Sequence, residues 1–249
     1  MIKLKSHEEI DRIRESCRLL ERTHQEIAKL IDVGITTREL DSFAKNYIES
    51  HGGVPAFLDY MGYPASLCTS VNSIVIHGIP GDYKLKSGDI ISLDLGIDLN
   101  GYFSDAARTY EVGTVSEEAH DLVRVTRECL YAGIDKAVVG NRIQDIGRAV
   151  SSVAGRHNFG VVREYCGHGV GFSQHEDPQI PHYVSRGPNP RIKRGMVLAI
   201  EPMINLGTGK VMLHDDGWTV ETQDGSLSAH WEHTVAVFDD HTEILTQLD

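Results

Sequence analysis

The chain has 249 residues, 41% hydrophobic and 24% charged, which is typical of one large globular domain and unlike a disordered or fibrous chain. Its formal net charge of −12 argues against nucleic acid or an anionic membrane surface as the main partner. The four cysteines form no CxxC pair, and the sequence shows neither a secretory signal nor an apolar run of membrane-spanning length. We therefore expect a cytoplasmic protein without a disulfide framework.

Two amphipathic helices are predicted at the start of the chain. A capping box at Ser6 and Glu9 begins the first helix, whose apolar residues recur at helical spacing through Ile31 until Gly34 stops it. A second capped helix covers residues 37–50. The segment 54–65 that follows is rich in proline, glycine and aromatic residues, and it predicts a surface loop ahead of short strands.

A β-hairpin is predicted around Asn100-Gly101. The run before this dipeptide is β-branched and alternating, and Asn-Gly is the strongest short hairpin signal. With these two residues as the loop, Gly96 faces Asp105, so Asp94 and Asp105 lie on the same sheet face within about 7–8 Å. Two carboxylates this close repel each other unless a proton or a cation lies between them. On the hairpin alone, aspartates that only cap the turn are the favoured explanation.

The second half of the chain repeats the first. Residues 85–94 align without gaps on residues 192–201, so that Asp94 matches Glu201 at an offset of 107 positions. The same offset carries the second helix onto a predicted helix at 144–157. We therefore expect a single domain, residues 1–249, built of two related halves (roughly 1–112 and 113–249) packed about a pseudo-twofold axis.

Four further residues are candidates to join the two aspartates. Glu201 ends an apolar strand before Pro202, and Glu232 interrupts a predicted strand, 227–237, that otherwise suits burial. His168 lies between glycines, and His175 follows seven residues later. Each of these has an ordinary structural explanation when taken alone. Together, the carboxylates and imidazole form the oxygen-rich set expected around a pair of divalent ions that share bridging carboxylates.

The positions and spacing of these residues resemble a known family. Asp94, Asp105, His168, Glu201 and Glu232 follow one another at intervals of 11, 63, 33 and 31 residues. Together with Ile76-His77-Gly78-Ile79-Pro80 and Ile200-Glu201-Pro202, they resemble the bacterial type I methionine aminopeptidases of peptidase family M24 over essentially the whole chain. The resemblance implies an α/β pita-bread fold, with two pseudo-symmetric halves, a central curved antiparallel sheet and outer helices.

The same resemblance implies a role for each site residue. Asp94 would bind one metal ion, Asp105 and Glu232 would bridge two, and His168 and Glu201 would bind the other. Glu201 is the candidate base. His175 and His77 would contact the substrate, with His175 donating to the scissile carbonyl oxygen. The methionine pocket would be lined by Phe57, Tyr60, Tyr63, Cys68 and Trp218.

The resemblance also implies the cofactors and partners. We expect two divalent ions per chain (Co, Mn, Fe(II) or Zn), the N-termini of nascent polypeptides as substrates, a transient ribosome contact, and a monomer without nucleic-acid specificity or membrane attachment. A proline-directed relative, an Xaa-Pro aminopeptidase or prolidase, is the alternative. The sequence departs from well-known relatives near the site at Phe57, Gly96, Ala106 and Gln174, which leaves fine selectivity and metal preference open.

Overall fold

The computed structural model describes residues 1–248 and has a mixed α/β architecture of antiparallel sheets and outer helices. The helices are α1 (His7–Ala28), α2 (Thr37–Ser50), α3 (Glu117–Ile134) and α4 (Ile143–Arg156). The strands are β1 (Val54–Pro55), β2 (Cys68–Val71), β3 (Ile74–Ile76), β4 (Ile90–Leu99), β5 (Tyr102–Glu111), β6 (Gly160–Val161), β7 (Gly167–Gly169), β8 (Glu176–Ile180), β9 (Val197–Ile200), β10 (Met203–Asn205), β11 (Val211–Leu213), β12 (Val220–Thr222), β13 (Ser228–His230), β14 (His233–Val237) and β15 (Thr242–Ile244). Within this part of the chain, every helix is too short or too polar to cross a lipid bilayer.

The predicted helix starts are confirmed, but the predicted end of the first helix is wrong. Ser6 forms both hydrogen bonds of a capping box with Glu9. The helix ends at Ala28, well before Gly34, because the N–H groups of Lys29 and Leu30 bond to carbonyls only three residues back, which tightens the last turn.

The predicted hairpin is confirmed in its register. Leu99 pairs with Tyr102, Gly96 with Asp105 and Asp94 with Ala107 across β4 and β5. Asn100 adopts the left-handed backbone conformation (φ 56°) that a two-residue loop of this kind requires. The hairpin is therefore the rigid support from which both aspartates project.

The two halves are built from elements at matching positions. In the first half, α1 and α2 cover a core that includes Leu93 and Leu95 of β4. In the second half, α3 and α4 cover cores that include Leu198 and Ile200 of β9. The β4 and β9 strands begin at residues 90 and 197, which reproduces the offset of 107 seen in the sequence.

The sheets of the two halves meet where β5 contacts the beginning of β14. The Thr234 hydroxyl donates to the carbonyl oxygen of Asp105 at 2.7 Å, and the Asp105 amide donates to the same hydroxyl at 3.1 Å. The amide of Glu232 donates to the carbonyl oxygen of Ala107 at 2.9 Å. These contacts place Glu232 of the second half directly against the hairpin of the first.

Two expectations about irregular segments are wrong. The predicted strand 227–237 is broken between β13 and β14, because the Glu232 backbone leaves its own sheet to bond to β5. The segment 54–65 is not a simple surface loop: β1 pairs with β4, and Phe57 and Tyr63 are buried. Its aromatic rings face the interior, where they form part of the cavity described below.

Candidate metal centre

One cavity of about 500 Å³ contains every residue that the sequence analysis assigned to the metal site, the substrate contacts or the methionine pocket. The carboxylates and His168 lie on strands or strand ends of both halves. The aromatic residues come from the segment after β1 and from Trp218. The residues that line the cavity thus come from segments far apart in the sequence.

The two aspartates of the hairpin form the first-half wall of the cavity. Asp105 is buried at 3% exposure, and its side chain contacts that of Asp94. The Oδ1 atom of each residue is shielded from solvent and has no hydrogen-bond partner among the described residues. Such unpaired oxygen atoms are rare in protein interiors and call for a proton or a cation.

Two glutamates form the opposite wall. Glu232 lies at the break between β13 and β14 and is 2% exposed. Glu201 directly follows β9, and its backbone amide donates to Nε2 of His182 at 3.1 Å. One carboxylate oxygen of each glutamate is buried and unpaired within the described chain. Oxygen atoms from all four acids are therefore available for a ligand inside the cavity.

His168 is held with one ring nitrogen turned toward these acids. Its Nδ1 lies 2.9 Å from the carbonyl oxygen of Gly169, which only accepts hydrogen bonds, so Nδ1 carries the proton. The free Nε2 lies 3.5 Å from Asp105 Oδ2 and 3.4 Å from Glu201 Oε1. A backbone partner that fixes the tautomer in this way is typical of metal-binding histidines.

The electrostatics of the site also favour a bound cation. Burial raises the pKa of each of the four carboxyls, and the neighbouring carboxylates raise the pKa of Asp94, Glu201 and Glu232 further. Burial lowers the pKa of His168 to about 4, so the imidazole is neutral and able to bind a metal at neutral pH. Ligand atoms of Asp105, His168 and Glu232 lie within 4.8 Å of one another. The donor set, hard oxygens with one imidazole, fits divalent ions.

The histidines assigned to substrate contact lie beside this cluster. The ring centres of His175 and His168 are 4.3 Å apart, and the Tyr60 hydroxyl lies 2.8 Å from His175 Nδ1. His77 has a left-handed backbone conformation (φ 57°), which costs about 1–3 kcal/mol, and strained residues of this kind cluster at functional sites. Its ring meets the edges of Trp218 and Tyr165. Desolvation in the cavity lowers the pKa of both histidines to about 4, although His175 remains partly exposed to solvent.

An apolar pocket adjoins the histidines. Tyr63 contacts Trp218 edge-on with ring centres 5.2 Å apart, and its hydroxyl donates to the carbonyl oxygens of Leu67 and Gly78. Phe57 and Cys68 complete the same buried cluster. Rings and a thiol beside a charged cluster suit an unbranched thioether side chain.

The sequence analysis missed several residues of the cavity. Six further residues line it: Met61, Ile76, Glu164, Tyr165, Cys166 and Gln179. Two buried histidines, His182 and His230, contact Glu201. His182 accepts the hydrogen bond of the Glu201 backbone amide, and Nε2 of His230 lies 3.7 Å from Glu201 Oε2. These residues carry no spacing signal, because only the folded chain brings their segments to the cavity.

Comparison with known proteins places the chain among metal-dependent peptidases. The model of metallopeptidase family M24 matches residues 11–239. The methionine aminopeptidase of Treponema pallidum is 54% identical over 99% of this chain and 97% of its own length. A crystal structure of methionine aminopeptidase from Rickettsia prowazekii matches with a TM-score of 0.97 and 41% identity, covering 99% of this chain and all of that one. Prolidase from Pyrococcus furiosus, at 22% identity and a TM-score of 0.76 over 66% of its length, shares the fold.

Proposed function

The chain belongs to metallopeptidase family M24, and from this membership we propose that its cavity removes the N-terminal methionine of nascent polypeptides whose second residue is small. The chain is a metal-dependent hydrolase with methionyl aminopeptidase activity. The main support for this function is the convergence of four carboxylates with unpaired buried oxygens on one neutral imidazole, beside a pocket of aromatic rings.

We propose that two divalent ions bind between the halves. Asp94 would contribute to one ion, His168 and Glu201 would contribute to the other, and Asp105 and Glu232 would contribute to both. Bound there, such ions act as Lewis acids toward the scissile carbonyl and lower the pKa of water toward neutrality. Mn, Fe(II), Co and Zn all suit these ligands, and metal availability in the cell selects among them.

Glu201 is the proposed general base. It lies at the cavity wall, where its Oε1 atom is buried without a hydrogen-bond partner in the described chain and 3.4 Å from Nε2 of His168, so this oxygen faces the proposed site of the attacking water. Glu201 accepts the proton of the attacking water and passes it to the leaving amine. His182 holds the Glu201 backbone, and therefore the position of the carboxylate.

His175 is the proposed donor to the oxygen of the scissile carbonyl. When the Tyr60 hydroxyl donates to Nδ1, the ring proton lies on Nε2, which then donates to the developing oxyanion. The low pKa of His175 keeps the ring neutral at pH 7. His77 holds the amide of the second residue, and the aromatic cluster holds the methionine side chain.

Paired peptide substrates test this proposal. The protein, reconstituted anaerobically with each divalent metal in turn, is expected to hydrolyse Met-Ala-Ser and to leave an Xaa-Pro peptide intact. Chelation with EDTA is expected to abolish turnover, and metal analysis to give about two equivalents per chain. Faster cleavage of the Xaa-Pro peptide would favour the prolidase-like alternative, whose structural likeness extends to the fold alone.

We further propose that the protein acts in the cytoplasm as a monomer and meets its substrates during a transient ribosome contact. The resemblance to bacterial type I methionine aminopeptidases supports this setting, since nascent chains carry the N-terminal methionine. Analytical ultracentrifugation and co-sedimentation with ribosomes measure the two properties directly. A stable dimer, or no enrichment with ribosomes that carry nascent chains, would contradict the corresponding part.

A further inference from the structure

The amide of Gln174 occupies the space that a side chain at position 96 would fill. Gly96 is the direct cross-strand partner of Asp105 in the β4–β5 hairpin. A side chain at such a position normally packs against its partner across the strands. Here a Cβ atom on Gly96 would lie 2.7 Å from both the Nε2 and the Oε1 atoms of Gln174, too close for either to remain in place.

Gln174 reaches this space from a fixed turn before β8. The Glu176 carboxylate accepts hydrogen bonds from the backbone amides of Phe172 and Ser173, at 2.8 and 3.1 Å. The Lys5 ammonium lies 2.7 Å from the other oxygen of that carboxylate, and both side chains are almost fully buried. The turn is therefore anchored on two sides. Gln174, at 2% exposure, has little freedom to leave its site.

Within residues 1–248, the Gln174 side chain makes one polar contact, which is with a proposed metal ligand. Its Nε2 donates to Asp105 Oδ2 at 2.5 Å, while Oε1 is buried without a partner in the described chain. A buried amide with an unpaired oxygen costs about 1–3 kcal/mol, a cost that an apolar side chain of the same length would avoid. Packing alone therefore does not account for a glutamine here.

We propose that Gln174 is a positioning residue that orients Asp105 for metal binding, and that position 96 lacks a side chain because the Gln174 amide occupies its place. The hydrogen bond restrains rotation of the Asp105 carboxylate, and it leaves Oδ1 unpaired and one lone pair on Oδ2, so that both oxygens remain available to the proposed ions. The inference rests on the proposed function, because it assumes that Asp105 is a metal ligand. Outer partners of metal ligands typically contribute about 10–100-fold to metal affinity.

The test measures Mn²⁺ binding by isothermal titration calorimetry on the full chain. Gln174→Met keeps the length and removes the hydrogen bond, and it is expected to weaken Mn²⁺ binding by about 10–100-fold. Gln223→Met, at an exposed glutamine remote from the site, is the matched control and should bind like the wild type. Thermal melts of the chelated proteins show whether each variant still folds.

A double-mutant cycle tests the pairing of positions 96 and 174. Gly96→Ala should displace the amide and weaken Mn²⁺ binding, whereas the same change in a Gln174→Ala background should have little further effect. The visible absorption of bound Co²⁺ gives a second readout, which should shift in Gln174→Met because the Asp105 carboxylate is free to rotate. A change in protein stability alone would leave that spectrum unaltered.

The outcomes separate this inference from the proposed function. Wild type that neither binds Mn²⁺ nor cleaves Met-Ala-Ser would refute the proposed function. The role of Gln174 alone would be overturned if the wild type binds Mn²⁺ and cleaves the peptide, but Gln174→Met has the same Co²⁺ spectrum and the same Mn²⁺ affinity within about twofold, against an expected loss of about 10–100-fold. Additive effects of Gly96→Ala and Gln174→Ala would overturn the steric pairing.

Discussion

Replacement of Asp94 by Asn removes one negative charge from the proposed metal site and leaves the volume of the side chain almost unchanged. Asp94 contacts Asp105, and its Oδ1 is buried and unpaired within the described chain. In the metal-free protein, burial and the Asp105 charge both raise the pKa of Asp94 well above 3.8. Asn has nearly the same volume, carries no charge, and places an amide donor next to the Asp105 carboxylate. We expect metal-free Asp94→Asn to be more stable than the metal-free wild type at pH 7.5.

The magnitude follows from the cost of holding buried like charges together. Each pKa unit by which the folded protein exceeds the unfolded chain corresponds to about 1.4 kcal/mol of differential stability. Replacement of a buried ion pair by uncharged side chains of similar volume stabilises some proteins by about 1–4 kcal/mol, and we expect a gain of the same order from Asp94→Asn. For a chain of this length, each kcal/mol shifts the midpoint of thermal unfolding by about 2–4 °C.

The stability difference between Asp94→Asn and the wild type is expected to increase with pH. A carboxyl whose pKa is raised by folding contributes stability below its unfolded pKa, and this stability is lost as the pH rises through the folded value. Asn does not titrate, so the variant lacks this loss. The advantage of Asp94→Asn should therefore be small at pH 5 and larger at pH 7.5. The buried histidines are common to both proteins, and their effect cancels in the difference.

The assay is calorimetric unfolding of both proteins, chelated and Mn²⁺-loaded, at the two pH values. Metal should reverse the order, because the wild type binds it with one more carboxylate and gains more stability by mass action. Metal-free Asp94→Asn that is less stable than the wild type at pH 7.5 would refute the view that these carboxylates repel one another in the absence of a cation.

Three further sets of variants test the remaining roles. Glu201→Gln should retain bound metal and lose about 10²–10⁴ of kcat on Met-Ala-Ser; wild-type turnover would remove Glu201 as base. His175→Ala should keep its metal and lower kcat by about 10²–10³-fold. Tyr60→Phe deletes one hydrogen bond of about 0.5–1.5 kcal/mol and should lower kcat by about 2–10-fold. Unchanged kinetics in both variants would contradict the proposed role of His175 as donor. Arg108→Met should lower the free energy of unfolding in urea by about 3–5 kcal/mol. It leaves the buried carbonyl oxygens of Glu232 and Thr246 without their charged donor and half-buried Glu21 without its ion pair at 3.0 Å. A loss below about 1 kcal/mol would contradict this.

The sequence by itself determined the local elements that carry the site. Asn100-Gly101 set the hairpin register, because a two-residue loop allows only one pairing, and parity then placed Asp94 and Asp105 on one face. The repeat at an offset of 107 positions related Glu201 to Asp94 before any coordinates were considered. The family resemblance supplied the residues proposed for the methionine pocket, which composition and spacing alone do not reveal.

Only the tertiary structure decided how these elements meet. The strand break at Glu232 exists because its backbone bonds to Ala107 of another sheet, and no local pattern encodes such a partner. Burial of the segment 54–65 likewise depends on its pairing with β4, which overrides a composition typical of surface loops. Gln174 contacts Gly96 and Asp105, which lie about 70 residues or more away in the sequence. The Gln174 amide and a side chain at position 96 cannot occupy the same space, and this conflict exists only in the folded chain.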